Sequence, residues 1–133
     1  KKQYYAPSYL SYEAVYQFDE NPELAAQKLE EYLRYVRQNN LEVNTDVVTV
    51  LAQNYIQIGR LDEAEILTDQ LLATSPESEV LFYLRGQIEE QRGAEERALE
   101  WYQNGLQFDP NNEIIIERIE SLGGQVVTDE SSL

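Results

Sequence analysis

The sequence predicts an all-α protein, a solenoid of helix hairpins, and three observations carry that prediction. The stretch "GRLDEAEILTDQLLATSP", Gly59 to Pro76, returns as "GAEERALEWYQNGLQFDP", Gly93 to Pro110, 34 residues further on. Within each copy the apolar residues recur at helical spacing, with no alternating strand pattern. A glycine opens each copy and a proline closes it, which are the residues that stop one helix and start another. A fixed period of this size marks a solenoid in which one supersecondary unit stacks on the next.

Taken in order, the first unit spans about 6–44. Its opening helix is "PSYLSYEAVYQF", with Tyr9, Tyr12 and Tyr16 on one face. Its second helix, "PELAAQKLEEYLRYVRQNN", enters through Asn21 as cap and Pro22 at the first helical position. There Ala25, Leu29 and Tyr32 reproduce the spacing of Ala64, Thr68 and Leu71. Ala25 precedes Ala64 by 39 residues, five more than the period, so this helix should be longer by about a turn.

The second unit spans 45–78. Val47, Val48, Val50, Leu51, Ala52, Tyr55, Ile56 and Ile58 give its first helix, from Asp46 to Ile58, which Gly59 ends. A second helix follows from Leu61 to Ala73, with Ala64, Leu67, Leu71 and Leu72 on one face. "TSPE" then stops it, with Ser75 expected as the next cap and Pro76 at the first helical position. The third unit, 79–110, repeats the scheme. Val48, Leu51, Ala52 and Tyr55 align with Phe82, Arg85, Gly86 and Glu89. The small residues Ala52, Ala64, Gly86, Ala98 and Gly105 fall where helices must approach closely. A capping helix at about 111–122 presents Ile115, Ile119 and Leu122, covering the apolar face a last hairpin would expose. The tail 123–133 reads as flexible.

These residues resemble the tetratricopeptide repeat. The third unit matches its pattern at Phe82, Gly86, Gly93, Ala98, Tyr102, Gly105 and Pro110, the second at Leu51, Ala52, Tyr55, Gly59, Ala64 and Pro76. The departures are Glu89, where an aromatic is usual, and Thr68 with Leu71, where an aromatic and a small residue are usual. The resemblance implies a right-handed α-solenoid of three hairpins plus the capping helix, one domain over 1–122.

Composition narrows the function classes. The chain has 133 residues, 42% of them hydrophobic and 14 aromatic, which is enough for a core. Its 25 acidic and 10 basic residues give a net charge of −15. Such a field argues against nucleic acid and anionic membrane surfaces; it permits a basic partner and also simply aids solubility. Without Cys or His the chain lacks disulfides, thiolate sites and imidazole ligands or bases. No apolar run approaches the ~20 residues of a membrane span. With no Met, the chain reads as a segment of something longer. "KKQYY" would suit a flank after a membrane anchor, while a cytoplasmic setting is the simpler expectation.

Nothing in the sequence announces catalysis. Glu89-Glu90 and Glu95-Glu96 are adjacent pairs, and neighbours on a helix point about 100° apart, so they read as a solvated acidic face. No phosphate-binding glycine loop or calcium loop is present. The expectation is a non-enzyme with no cofactor and no metal.

The resemblance further implies that the first helices of successive hairpins line a concave groove for an extended peptide or a helix. The groove positions carried over are Thr49, Gln53, Ile56 and Gln57, then Tyr83, Gln87, Glu90 and Gln91, and more weakly Leu10, Ala14, Gln17 and Phe18. Members that grip acidic chaperone C-termini place Lys, Arg and Asn there, so that activity is not expected. Glutamines can pair with a peptide backbone, and Ile56 and Tyr83 offer apolar contact, with Tyr83 expected to face solvent. The expected function is a protein-interaction module. Two alternatives stay open: a groove that is solvated or filled by the N-terminal segment, and a structural role, in which the aromatic first hairpin or the apolar cap makes a homo-oligomer or the domain docks to other parts of a larger protein. Tyr4 and Tyr5 would suit a surface anchor for a neighbouring domain or partner.

Overall fold

Asparagines start three of the helices. The side chains of Asn21, Asn44 and Asn112 accept hydrogen bonds from the backbone N–H groups of Leu24, Asp46 and Ile115, at 3.1, 3.0 and 3.1 Å. Each satisfies a donor the first turn leaves open, worth about 1 kcal/mol. In the computed structural model, which describes residues 21–126, six helices result: α1 (Pro22–Gln38), α2 (Thr45–Gln57), α3 (Leu61–Thr74), α4 (Glu79–Gln91), α5 (Glu95–Leu106) and α6 (Glu113–Ser121). Among the described residues there is no strand. The expected all-α class holds. The first helix expected, with Tyr9, Tyr12 and Tyr16, and the anchors Tyr4 and Tyr5 lie outside the described residues.

Helix ends follow one device. Gly59, Gly93 and Gly123 adopt φ of +84°, +83° and +78°, the left-handed conformation glycine enters without penalty. The residue after each closes a bond to a carbonyl five positions back: Arg60 N to Tyr55 O, Ala94 N to Glu89 O and Gly124 N to Ile119 O. Asn40 (φ 52°) does the same for α1, with Leu41 N bonded to Val36 O. One expected cap is corrected. Ser75 does not start α4; Pro76 and Glu77 form a turn, and Ser78 is the N-cap, without a side-chain bond of its own.

The chain forms two compact units that divide at Leu67 and Thr68, within α3. In the first unit α1 packs on α2. Ala25, Leu29 and Tyr32 are buried as their spacing implied, and α1, at 17 residues, is the longest helix among the described residues. Two hydrogen bonds tie it to α2 and its cap: Tyr32 Oη accepts from Asn44 N at 3.1 Å, and Asn54 Nδ2 donates to Pro22 O at 3.2 Å. Tyr55 donates to Glu30 Oε2 at 2.5 Å. Arg60 stacks over the Tyr55 ring at 4.4 Å and binds both Glu30 and Glu63. The bond to Arg60 holds the Glu63 carboxyl below its usual range.

In the second unit α5 packs on α4, and α6 on α5. A Cβ at Gly86 would stand 2.2 Å from the Tyr102 ring, so only glycine leaves room for it. Tyr102 is fully buried with Ala98, Leu106, Ile115 and Ile119. Each isoleucine so buried contributes about 1.5–3 kcal/mol. Gly105 brings α5 close enough that an added Cβ would lie 3.1 Å from Phe82 and 3.2 Å from Ile115. Beyond Gly123 the chain turns back: Gln103 Nε2 donates to Gln125 O, and Val126 packs on the core.

Candidate interaction surfaces

The eight first-helix positions fall on α2, in the first unit, and α4, in the second. On α2, Thr49 is half-buried and its hydroxyl donates to Thr45 O at 2.9 Å. Gln53 is half-buried and Gln57 exposed. Ile56 is corrected: at 4% exposure it is part of the interior and offers no apolar contact to a ligand. Leu10, Ala14, Gln17 and Phe18 lie outside the described residues.

On α4, Tyr83 and Gln87 are half-buried and Gln91 is exposed. Tyr83 does not simply face solvent. Its ring lies 5.9 Å from that of Tyr102 and packs against the core, while its hydroxyl accepts from Gln87 Nε2 at 3.0 Å. Burial, together with the Glu90 carboxylate, raises its pKa, so it remains a neutral donor. The Gln87 amide oxygen and the Tyr83 hydroxyl hydrogen stay available to a ligand.

Glu90 is occupied within the fold. Its carboxylate accepts from the Tyr102 hydroxyl at 2.8 Å and forms an ion pair with Arg118. This ties α6 to α4 and removes Glu90 from the ligand-facing set. The hydrogen bond to Glu90 raises the Arg118 pKa, and burial with Glu90 raises that of Tyr102. The neighbouring Glu89 is also not part of a solvated face. It is 4% exposed, with its carboxylate 3.4 Å from both Arg85 and Arg92. Arg85 lies 3.4 Å from Asp69 and stacks over Trp101 at 4.6 Å. A signal was present in the sequence. Glu89 stands one period after Tyr55, which the repeat places among the apolar residues of its helix.

Among the described residues, no group of carboxylates could hold a metal ion, and no helix is long and apolar enough to cross a membrane.

Comparison with known proteins agrees with the architecture. The chain is 35% identical over 68 residues to tetratricopeptide repeat protein 7B of Homo sapiens, a match covering 51% of this chain and 8% of that protein. The chain thus spans a small fraction of the relative it matches. A family model described as tetratricopeptide repeat matches residues 8–119. Repeats of this kind generally mediate protein–protein interaction and are typically non-catalytic scaffolds. With most of its length matched, and with hairpins, glycine stops and capping helix in place, the chain belongs to the tetratricopeptide repeat family.

Proposed function

We propose that this protein docks an extended peptide or a helix of a partner on the first-helix surfaces of its hairpins, without chemical change. The observation that supports the reading most is the Tyr83–Gln87 pair on α4, fixed by a 3.0 Å hydrogen bond. It holds an aromatic edge, a hydroxyl donor and an amide acceptor in one orientation before any ligand arrives. Such preorganisation reduces the entropy lost on binding. Gln91 belongs to the same α4 surface, and Thr49, Gln53 and Gln57 give α2 a surface of its own with the same amide-rich character. Few charges line it, so a basic partner would be steered by the acidic exterior and held elsewhere.

The test is capture of partners by the intact protein, followed by calorimetric titration of each against the parent and two variants. Gln87→Leu removes the amide acceptor and should weaken binding by about 1–3 kcal/mol. Tyr83→Phe removes only the hydroxyl and should weaken it by about 1 kcal/mol. Unchanged affinity for both folded variants moves the site off α4. An assembly role has its own supporting observation, Ile114 at 60% exposure on the capping helix. Light scattering that shows mass rising with concentration, and abolished by Ile114→Lys, would favour it.

A further inference from the structure

Acids outnumber bases 25 to 10 in this chain, so every cation has carboxylates to choose from. Arg60, Arg85, Arg92 and Arg118 each hold one. Arg34 and Arg37 lie one turn apart on α1, both exposed, and neither forms a salt bridge among the described residues. The helix offers Arg34 an acid four residues earlier, the favourable order for a pair. That acid, Glu30, is drawn away: its Oε2 accepts from Tyr55 at 2.5 Å and from Arg60 at 3.1 Å. The two guanidinium groups are left on the rim of a depression of about 400 Å³, within the first unit. Leu33 and Leu51, both buried, line it with Leu67 from α3, and so do Tyr55 and Glu30, the latter's carboxylate already engaged by Tyr55 and Arg60.

We propose that this depression is a second binding site, for an acidic peptide segment of a partner. A Glu or Asp carboxylate would sit between Arg34 and Arg37, and an adjoining apolar side chain would cover Leu33, Leu51 and Leu67. The volume falls within the roughly 300–1,000 Å³ of ligand pockets. Paired guanidinium groups suit a carboxylate through charge-assisted hydrogen bonds. The net charge of −15 disfavours a polyanion, so the ligand carries one or two carboxylates beside a hydrophobic residue. The site lies between α1, α2 and α3 and uses none of the α2 and α4 surface residues proposed above.

The test is an NMR titration of the isotope-labelled 133-residue protein. The probes are acetylated hexapeptides that place Glu beside Leu or Phe, Gln-for-Glu controls, and sodium acetate. The acidic peptides should give saturable shifts at Arg34, Arg37 and Leu51. The Gln peptides should bind at least ~10-fold more weakly, as should Arg34→Gln/Arg37→Gln with the acidic ones. Because both arginines are exposed, that variant should keep the parent's circular dichroism and melting. Equal affinity for the Gln peptides overturns the proposal, as does affinity that survives in the folded double variant. Absence of saturable shifts at Arg34 and Arg37 also overturns it. Acetate binding as tightly as the peptides would mean a small-anion site and sink the peptide assignment.

Discussion

Where the second repeat buries Leu51, the third buries Arg85, and where the second buries Tyr55, the third buries Glu89. All four side chains are nearly excluded from water, at 1% and 6% exposure for Leu51 and Tyr55, and 6% and 4% for Arg85 and Glu89. At these two positions the 34-residue period therefore fixes burial and leaves the chemistry free. In the third repeat two charges must compensate each other. Arg85 is matched by Glu89 and Asp69 and by the face of Trp101, while Glu89 is shared between Arg85 and Arg92. Among the described residues Glu89 Oε1 has no hydrogen-bond partner. Desolvating such a pair offsets most of its Coulomb attraction, so it contributes little net stability yet is costly to break.

A second contrast runs the other way. In the first unit, Tyr55 and Arg60 converge on Glu30; in the second, Tyr102 and Arg118 converge on Glu90. The chemistry is the same, but no member of one trio stands a repeat interval from its counterpart in the other. What recurs in sequence and what recurs in space are different things here.

The largest effect should come from breaking the charged pair. Glu89→Ala leaves Arg85 interior with its main counter-charge gone and should destabilise the fold by about 3–5 kcal/mol. Urea unfolding checks it. A loss below about 1 kcal/mol would mean that Arg85 relaxes to water.

Next comes the glycine at the α4–α5 crossing. Gly86→Ala forces a Cβ against the fully buried Tyr102 ring and should cost about 3 kcal/mol. The reciprocal change one period earlier, Ala52→Gly, creates no clash and should cost about 1 kcal/mol through backbone entropy. Thermal melts of both variants should rank in that order. The reverse ranking would show that Tyr102 moves aside readily.

A smaller effect concerns alkaline pH. Burial and the hydrogen bonds to Glu30 and Glu90 raise the pKa values of Tyr55 and Tyr102. Below about 10 both folded and unfolded states keep these protons, and stability is unaffected. Above it the unfolded state ionises while the folded state does not, so stability falls as pH rises. Tyr102→Phe should flatten that decline, and urea midpoints measured from neutral to alkaline pH would show it. A decline as steep as the parent's would take Tyr102 out of the account.

The helices, their glycine stops and the buried faces of Ala98, Ile115 and Ile119 were legible in the sequence, because periodicity and turn chemistry are local. Asn21 was legible as a cap for the same reason. Ser78 was not. Ser75 with Pro76 offers an equally good local start, and only the intervening turn decides between them. The candidate surface was less legible still. Ile56 and Glu90 occupy equivalent positions, yet one is lost to the interior and the other to Tyr102 and Arg118. A family pattern assigns faces of a helix, whereas these losses depend on which side chains arrive from other helices.

The most direct test of the claim that the repeat specifies burial and not chemistry is to give the third repeat an apolar pair. Arg85→Met with Glu89→Leu, of similar volume, removes both charges together. Urea unfolding of the double variant should show a midpoint at or above the parent's, because the desolvation penalty disappears with the attraction. A midpoint as low as that of Glu89→Ala would contradict the account and make the ion pair itself a requirement of the fold.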